Sequence, residues 1–441
     1  MVNSGDTIFA LASGFGRAGI AVIRLSGPGS RGAVETLLAG GLPAPRRASL
    51  RRLRDPGTGE PLDQALVLWL PGPASFTGED QAELHIHGGV AVRAAVLRAL
   101  AGLPGLRAAE PGEFTRRAFL SGRMDLSAVE GLADLIDAET EAQRRQAFRQ
   151  LEGALAGRVA DWRERLVDAL ALAEAGLDFS DEADVAEAAS AEAAAIFHAV
   201  GDEVGMELAR AGTGERLREG FVVVIAGPPN AGKSTLLNAL ARREVAIVSP
   251  HAGTTRDVIE VRCDLGGLPV TFVDTAGLRE AADPVEQEGI ARTRKRARDA
   301  DLVLWLLAPG GSAEPDGELG AAPVVRVATK RDLAPAPPGA DLAVSALTGA
   351  GLDALIALVR ERAELGLTGA GDAVITRERH RRALEDVAAA LARAAEAQRI
   401  GHEELAAEDL RLAVRALGRI TGRVDVEEVL DRIFGQFCIG K

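Results

Sequence analysis

A short glycine-rich segment between an apolar strand and a helix constrains this chain more than any other feature. Residues 221–226 predict a buried strand, and residues 227–234 fit the pattern G-x-x-x-x-G-K-[ST]. A helical pattern over residues 235–242 begins at once. In this arrangement, backbone N–H groups and the helix N-terminus surround phosphate oxygens, the lysine reaches the β- and γ-phosphates, and the hydroxyl binds Mg²⁺. The sequence therefore predicts a nucleotide site in which Lys233 and Ser234 take part.

Four further motifs follow in the order typical of GTP-hydrolysing domains. They are Gly253-Thr254-Thr255-Arg256-Asp257, Asp274-Thr275-Ala276-Gly277, Thr329-Lys330-Arg331-Asp332 and Ser345-Ala346. Asp274 ends an apolar strand pattern, where a carboxylate that organises Mg²⁺ belongs. An ionised carboxylate only accepts hydrogen bonds, so Asp332 suits the N–H and amino edge of guanine and rejects adenine. The predicted substrate is GTP.

Two positions depart from the commoner pattern of such domains. Leu278 stands where many GTPases place a glutamine that orients the attacking water. Since leucine neither donates nor accepts, hydrolysis must recruit another polar residue, and the acidic segment 280–288 is the nearest source. Thr329 replaces an asparagine and loses its amide, so we expect weaker bridging between loops.

The composition of the 441 residues excludes several classes of protein. Hydrophobic residues make up 47% and charged residues 26%, which is an ordinary globular mixture. No apolar run is long enough to span a membrane, and the first 20 residues lack the basic start of a signal peptide. The two cysteines make no disulfide framework, so we expect a cytoplasmic location. The net charge of −13 limits any contact with nucleic acid to a local patch.

The texture of the sequence changes along the chain and predicts several domains. Residues 1–118 read as mixed α/β, with strands expected at 7–12, 20–25, 65–70 and 82–87. Residues 119–217 and 370–441 show helical spacing, whereas 218–366 alternate strands with helices. We therefore expect a helical domain in two parts, an α/β domain inserted into it, and an N-terminal α/β domain.

Blocks outside the nucleotide motifs carry a family resemblance. They are Gly16-Arg17-Ala18-Gly19-Ile20-Ala21-Val22-Ile23-Arg24-Leu25-Ser26-Gly27, Ser75-Phe76-Thr77-Gly78-Glu79-Asp80, His85-Ile86-His87-Gly88-Gly89, Pro111-Gly112-Glu113-Phe114-Thr115-Arg116-Arg117-Ala118-Phe119-Leu120, Met124-Asp125-Leu126 and Phe437-Cys438-Ile439-Gly440-Lys441. Together with the nucleotide motifs, they resemble the MnmE (TrmE) family of tRNA modification GTPases, within the TrmE-Era-EngA-like GTPases, almost from end to end.

The resemblance implies a fold and a reaction. It implies an N-terminal α/β domain that dimerises and binds tetrahydrofolate, a discontinuous helical domain and an inserted Ras-like P-loop GTPase domain. It also implies a complex with the flavoprotein MnmG (GidA), a heterotetramer that acts on tRNA and needs no membrane. This complex would add an aminomethyl or carboxymethylaminomethyl group to C5 of the wobble uridine. The one-carbon unit would come from a tetrahydrofolate derivative (5,10-methylene- or 5-formyl-tetrahydrofolate).

The motifs and the resemblance together predict a nucleotide site of many residues. GTP would be contacted by Asn230, Ala231, Gly232, Lys233, Ser234, Thr235, Ser249, Pro250, His251, Ala252, Gly253, Thr254, Thr255, Asp274, Thr275, Ala276, Gly277, Thr329, Lys330, Asp332, Ser345 and Ala346. Carried over from the family, Mg²⁺ falls on Ser234 and Thr255, and K⁺ falls on Asn230, Ser249, His251 and Thr254. The catalytic, water-orienting residue corresponds to Glu286, inside the acidic segment.

The folate contacts of the family fall on Arg24, Glu83, Arg123 and Lys441. A carboxylate suits the N–H and amino edge of a pterin, and cations suit the carboxylates of a glutamate tail. Arg123 stands where many members have lysine. Two rivals stay open: a ribosome-assembly or regulatory GTPase switch, and a folate-dependent transferase with a vestigial nucleotide domain.

Three other sequence patterns could indicate binding sites, but ordinary structural roles explain them better. Residues 14–19 spell G-x-G-x-x-G, but a β-branched, strand-like segment follows instead of the helix that a dinucleotide site needs. His85 and His87 would share one face of a strand, yet no further metal ligands have suitable spacing. Two arginine clusters, within 46–54 and 377–382, could touch tRNA, although a solvated face is the commoner outcome.

Overall fold

The computed structural model divides the chain into two compact units. The first unit comprises Met1–Ala133 with Gly418–Lys441, and the second comprises Asp134–Leu417. The structure describes residues 5–14, 16–38, 41–178, 183–247, 260–274, 300–310 and 322–424, and, near the C-terminus, 430, 433–435, 437, 439 and 440. Among these residues, no helix combines the length and the apolar character that crossing a membrane requires.

The first unit is built on a six-stranded, mainly antiparallel sheet. Its strands are β1 (Thr7–Leu11), β2 (Ala18–Ser26), β3 (Ser49–Arg54), β4 (Pro61–Leu70), β5 (Gln81–Gly88) and β6 (Leu106–Ala108), in the order β3-β4-β5-β2-β1-β6. Only β1 and β6 pair in parallel. The predicted strands at 7–12, 20–25, 65–70 and 82–87 are confirmed. The arginine-rich β3 was missed, because three of its six residues are arginine and the segment reads as a charged loop.

One face of this sheet forms a core with two helices, α1 (Ser30–Leu37) and α2 (Val90–Ala101). The period of two explains the division, because alternate side chains point to opposite faces. In β2, Ile23 and Leu25 are fully buried in this core, whereas the intervening Arg24 belongs to the opposite face. We call that opposite side the open face.

The rest of the first unit is helical and brings the C-terminal segment to the sheet. Its helices are α3 (Glu113–Leu120) and α4 (Leu126–Asp137), of which α4 runs on into the second unit. Leu126 and Val129 share an apolar cluster with Phe434 and Phe437. Gly440 lies so close to β1 that a Cβ there would stand 2.2 Å from the carbonyl oxygen of Leu11. Only glycine fits at this position, which also has a φ of +98°.

The second unit contains a helical bundle and a parallel sheet. The bundle helices are α5 (Glu141–Leu151), α6 (Ala154–Asp178), α7 (Ala183–Glu219), α10 (Glu378–Arg399) and α11 (Glu403–Thr421), the last of which ends in the first unit. The long α7 packs against α6 and α10. Trp162 in α6 is fully buried, and its indole N–H donates to Glu203 Oε2 in α7 at 2.8 Å. The helical texture that the sequence predicts for 119–217 therefore corresponds mainly to four helices.

The sheet of the second unit has the order β12-β11-β10-β7-β9-β8. Its strands are β7 (Phe221–Ala226), β8 (Glu260–Asp264), β9 (Pro269–Asp274), β10 (Leu302–Leu307), β11 (Val324–Ala328) and β12 (Leu342–Ala343), with helices α8 (Lys233–Ala241) and α9 (Leu352–Gly366). All pairs are parallel except β8 with β9. Strands β7, β9 and β10 are buried at every residue, as expected for strands covered on both faces.

Candidate functional site

The glycine-rich loop joins the central strand β7 to α8, as the sequence predicts. Gly227 has a φ of +144°, and a Cβ there would lie 2.8 Å from the carbonyl oxygen of Leu306 on the neighbouring strand. Gly232 precedes α8 in a left-handed conformation, so the first amides of the helix face the loop. The ammonium of Lys233 donates to the carbonyl oxygens of Gly227 at 2.8 Å and Pro228 at 3.0 Å. The loop is thus formed around the lysine side chain.

Two oxygen-bearing side chains meet where α8 begins, one from α8 and one from the end of β9. The hydroxyl of Ser234 donates to Asp274 Oδ2 at 2.5 Å, and Asp274 ends the buried strand β9. A hydroxyl and a carboxylate beside a phosphate-binding loop are the ligand types that suit Mg²⁺. Ser234, a predicted Mg²⁺ ligand, is therefore in contact with Asp274, the carboxylate that the sequence places beside the metal. Thr255, the second predicted Mg²⁺ ligand, lies outside the described residues.

The residues that recognise the base follow β11 and β12. The hydroxyl of Ser345 donates to Asp332 Oδ1 at 2.6 Å, which fixes the carboxylate and leaves its other oxygen for a ligand. The ammonium of Lys330 donates to the carbonyl oxygen of Asn230 at 2.9 Å. The hydroxyl of Thr329 donates to the carbonyl oxygen of Ala231 at 2.7 Å. The expected loss of bridging at Thr329 is therefore offset, because the hydroxyl itself joins this motif to the phosphate loop.

The sequence analysis missed two exposed leucines that follow the base-recognition motifs. Leu333 is 75% exposed and Leu347 is 83% exposed, and each directly follows a base-recognition motif. Large apolar side chains so open to water gain when a flat apolar surface covers them. The signal that could have found them is their position immediately after Asp332 and Ala346.

Several predicted nucleotide-site residues cannot be located. The whole K⁺ set except Asn230, the predicted contacts from Ser249 to Thr255, the contacts Thr275, Ala276 and Gly277, and Glu286 all lie outside the described residues. Asn230 itself has a φ of +61°, at the tip of the loop.

A second cluster of charged side chains lies on the open face of the first unit. Arg24 in β2 and Glu83 in β5 are direct cross-strand partners, with Arg24 Nη2 3.1 Å from Glu83 Oε1. His85 Nε2 lies 3.1 Å from the other carboxylate oxygen. The Arg24 guanidinium also stands 5.6 Å from the centre of the Phe76 ring and 5.8 Å from that of Phe114. The sequence-predicted pair Arg24 and Glu83 is thus brought together.

The environment keeps Glu83 ionised. Burial on its own would raise the pKa of the carboxyl, but the hydrogen bond with His85 and the charge of Arg24 together hold that pKa below its usual value. An ionised carboxylate beside a guanidinium can accept hydrogen bonds from a flat heterocycle that presents N–H groups.

The sequence predicts two further members of this cluster, Arg123 and Lys441. Arg123 is exposed, and a Cβ at Gly78, two residues from Phe76, would lie 3.7 Å from Arg123 Cγ. Lys441 lies outside the described residues.

The first unit also contains a buried ion network, which the sequence analysis did not predict. Arg117, only 4% exposed, contacts Asp6 Oδ1 at 2.7 Å, Glu113 Oε1 at 3.1 Å and Glu79 Oε2 at 3.2 Å. Arg107 contacts Asp6 at 2.6 Å and Glu113 at 2.5 Å. Although burial opposes it, the two guanidinium groups lower the pKa values of Asp6 and Glu113. The quoted blocks 75–80 and 111–120 are therefore tied to each other by charge.

A parallel sheet with this phosphate loop, a serine–aspartate pair for Mg²⁺ and a carboxylate for guanine defines a P-loop GTPase. The comparison with protein families gives two matches: the MnmE helical domain over residues 126–438, and the N-terminus of the GTP-binding protein TrmE over residues 7–123. The chain belongs to the MnmE family of tRNA modification GTPases, and it is a GTPase involved in tRNA modification.

Individual relatives agree over the whole length. The tRNA modification GTPase MnmE of Methylobacterium sp. (strain 4-46) is 66% identical, over 99% of this chain and 100% of its own. That of Methylorubrum populi is 63% identical, over 99% and 98%. Among solved structures, the G domain of the T. maritima FeoB iron transporter aligns with 32% of this chain and 98% of its own, at 27% identity. Its TM-score of 0.23 carries no argument.

Proposed function

We propose that this GTPase acts with the flavoprotein MnmG in the cytoplasm. Together they would add an aminomethyl or carboxymethylaminomethyl group to C5 of the wobble uridine of certain tRNAs, with a tetrahydrofolate derivative as the one-carbon donor. The observation that carries the proposal is the Arg24–Glu83 pair, with the Arg24 guanidinium near the rings of Phe76 and Phe114, which offers a second ligand site in addition to the one for GTP. A GTPase switch without folate chemistry has no use for such a site.

The four-part organisation belongs to the proposal: an N-terminal domain over 1–118, helical parts over 119–217 and 370–441, and a nucleotide domain over 218–366. Its support is that β1–β6 fall within residues 7–108 and β7–β12 within residues 221–343. The long helices α5–α7, α10 and α11 flank the second sheet in sequence.

The nucleotide half of the proposal assigns a task to each side chain. Lys233 would bind the β- and γ-phosphates, Ser234 and Thr255 would hold Mg²⁺, and Asp332 would accept from guanine. Mg²⁺ supplies charge that stabilises the transferred phosphoryl group. Its support is the 2.5 Å contact of Ser234 with Asp274 and the orientation of Asp332 by Ser345.

Hydrolysis needs a partner for the water, because Leu278 cannot orient it. We propose Glu286 for this task and K⁺, bound by Asn230, Ser249, His251 and Thr254, for neutralising charge at the phosphates. The test compares GTP turnover in K⁺ and Na⁺ at equal ionic strength, with the wild type and Glu286→Ala. Equal turnover in the two cations would remove the K⁺ assignment, and unchanged turnover in Glu286→Ala would remove the glutamate.

The folate half rests on side-chain chemistry. Glu83 would accept from the pterin, the partly exposed ring of Phe76 would contact one of its faces, and Arg123 and Lys441 would pair with the carboxylates of the glutamate tail. The neighbour of Lys441, Gly440, is next to Leu11, and Leu11 follows Ala10, the cross-strand partner of Arg24.

Binding of 5-formyltetrahydrofolate, measured by calorimetry, tests this half. Arg24→Ala and Glu83→Gln should each weaken binding at least about tenfold, the cost of one charged hydrogen bond. The matched control is Arg31→Ala, since Arg31 is an exposed arginine paired with Glu35 on its own helix. Binding that is the same in all variants contradicts the folate site.

Nucleoside analysis of tRNA from cells lacking the protein tests the reaction, and an unchanged wobble uridine pattern refutes it.

The proposed partners are a second copy of the chain and MnmG, as a heterotetramer. The support for a homodimer is apolar surface on the first unit: Ile20 is 61% exposed and Val90 is 60% exposed. Both lie near one end of the β2–β5 pair, in which Ala18 faces Gly88. Sedimentation of the wild type and of Ile20→Asp measures this association, and a monomeric wild type contradicts it.

A further inference from the structure

Two arginine clusters that look alike in the sequence have different environments in the structure. We call Arg46, Arg47, Arg51, Arg52 and Arg54 the edge arginines, since they lie on or just before β3, the edge strand of the first sheet. We call Arg377, Arg379, Arg381 and Arg382 the helix arginines, at the start of α10. Both clusters were candidates for contact with nucleic acid.

The helix arginines are largely neutralised by carboxylates of their own unit. Arg377 contacts Asp134 at 2.6 Å, and Arg382 contacts Glu378 at 2.5 Å. Arg381 contacts both Glu215 and Glu385 at 3.1 Å. A guanidinium held by one or two carboxylates must break those contacts before it can bind a phosphate. This cluster is therefore a poor anion site.

The edge arginines have no carboxylate partner within the described part of the chain. Arg51 and Arg54 donate only to backbone carbonyl oxygens, those of Leu50 at 3.0 Å and Gly59 at 3.1 Å, and Arg46 donates to that of Ala74. Arg47 and Arg52 make no side-chain hydrogen bond among the described residues, and both are exposed. Five guanidinium groups within nine residues are thus uncompensated on a chain with a net charge of −13.

Most carboxylates near the edge arginines accept hydrogen bonds from other groups. Asp55 accepts from the backbone N–H groups of Gly57 and Thr58 in the turn after β3, and Asp63 accepts from the backbone and ring of His87. Glu60, in the same turn as Asp55, is exposed and lies at the far end of the cluster. The remaining field along β3 is positive.

We propose that the edge arginines form a tRNA-docking surface that binds the phosphate backbone. The protein acts in tRNA modification, and tRNA is the polyanion that such a protein must hold. Arg52 and Arg54 lie two residues apart in a strand, about 7 Å, a spacing suited to successive phosphates. Arginine forms two-pronged hydrogen bonds with phosphate, and contacts to phosphate carry no sequence information, so this edge holds the tRNA backbone whatever its bases.

A different use of these residues makes a different prediction. Charged side chains on an edge strand also prevent two sheets from joining edge to edge. If that were their whole role, neutral variants would self-associate and still bind tRNA as before.

The experiment measures the affinity of the full chain for fluorescently labelled bacterial tRNA at several salt concentrations. The test variant is Arg47→Ser with Arg52→Ser, which removes no internal hydrogen bond among the described residues. The control is Arg382→Ser with Arg399→Ser, which changes the net charge equally and removes arginines that are 71% and 69% exposed but paired with glutamates. A third variant, Arg47→Lys with Arg52→Lys, keeps the charge. Circular dichroism and size-exclusion chromatography verify folding and association state.

The surface predicts a clear pattern. At about 0.1 M salt, the test variant should bind about ten- to a hundredfold more weakly, and the slope of log K against log salt should be shallower by about 1.5 to 2. The control and the lysine variant should stay near the wild type. Equal losses in test and control variants, no loss in either, or self-association with unchanged tRNA binding would each overturn the proposal. A wild type that binds no tRNA even at low salt would overturn it as well.

Discussion

The two six-stranded sheets of this protein carry their sites in different ways. In the parallel sheet of the second unit, the described site residues lie in the loops after β7, β11 and β12 and at the end of β9, at the carboxyl ends where ligands bind such sheets. Its contacts are largely between side chains and backbone carbonyl groups, such as Lys233 with Gly227. In the antiparallel sheet of the first unit, the cluster lies on a face, and Arg24 and Glu83 are 59 residues apart in the chain.

The difference shows what each site depends on. A loop site depends on backbone shape and on a few side chains that touch the ligand. A face site depends on the register of neighbouring strands and on charges that must be compensated in a partly buried place. Substitutions in the loop site of the second unit should therefore lower GTP turnover without loss of stability. Substitutions of the buried charges in the first unit should lower its stability.

The largest effect is expected for Lys233→Ala. We expect the ammonium to bind the β- and γ-phosphates, so kcat/KM for GTP should fall about a thousandfold. The unfolding temperature should stay near that of the wild type, since among the described residues the ammonium donates only to loop carbonyl groups. A large loss of stability would break the comparison. Turnover is measured by phosphate release and stability by calorimetry.

The next largest effect is expected for the buried ion network of Arg107 and Arg117 in the first unit. In Glu113→Gln, Arg107 and Arg117 lose a shared carboxylate, and the first unit should lose about 3 kcal/mol, as when one member of a buried pair is removed. Denaturant unfolding monitors this through Trp69, in a background where Trp162 and Trp305 are phenylalanine. The control is Glu110→Gln, three residues away and exposed. Equal stability of the two variants would contradict the role of the network.

Acid should weaken the first unit by the same network. The folded protein holds the pKa values of Asp6 and Glu113 below their ordinary values of 3.8 and 4.5, so the folded state binds fewer protons than the unfolded one. Their contribution is present above pH 4.5 and is lost as the pH falls through the lowered values. The Trp69 signal should report this loss, and the acid dependence should be shallower in Glu113→Gln. Identical acid profiles would exclude this source.

The smallest effect sharpens the contrast between buried and exposed charge. Arg31 pairs with Glu35 one turn along α1, where the side chains are 65% and 44% exposed. Water screens such a pair, so Arg31→Ala should change the stability of the first unit by less than about 0.5 kcal/mol. A change as large as that of Glu113→Gln would show that burial is not what matters in the first unit.

Much of the nucleotide site was predictable, because its motifs are contiguous. Gly227–Ser234 and Thr329–Asp332 are each recognisable within a few consecutive residues, and the strands before them are apolar and unambiguous. The bridging by the Thr329 hydroxyl was not predictable, since it depends on loops that meet only in the fold.

The first unit was less predictable for a physical reason. Strand β3 was missed because four of its six residues are arginine or serine, and its pairing with β4 decides its structure. The ion network was missed because Asp6 and Arg117, which contact each other, are far apart in sequence. Only the tertiary structure also separated two similar arginine clusters into a compensated and an uncompensated one.

The sequence alone determined the class of this protein: a phosphate loop, a guanine-selecting aspartate and the absence of a water-orienting glutamine at Leu278 are all local patterns. The tertiary structure decided which charges are paired and which are left for a ligand. Pairing depends on distances between residues from separate strands and helices, and those distances exist only after the strands have found their register.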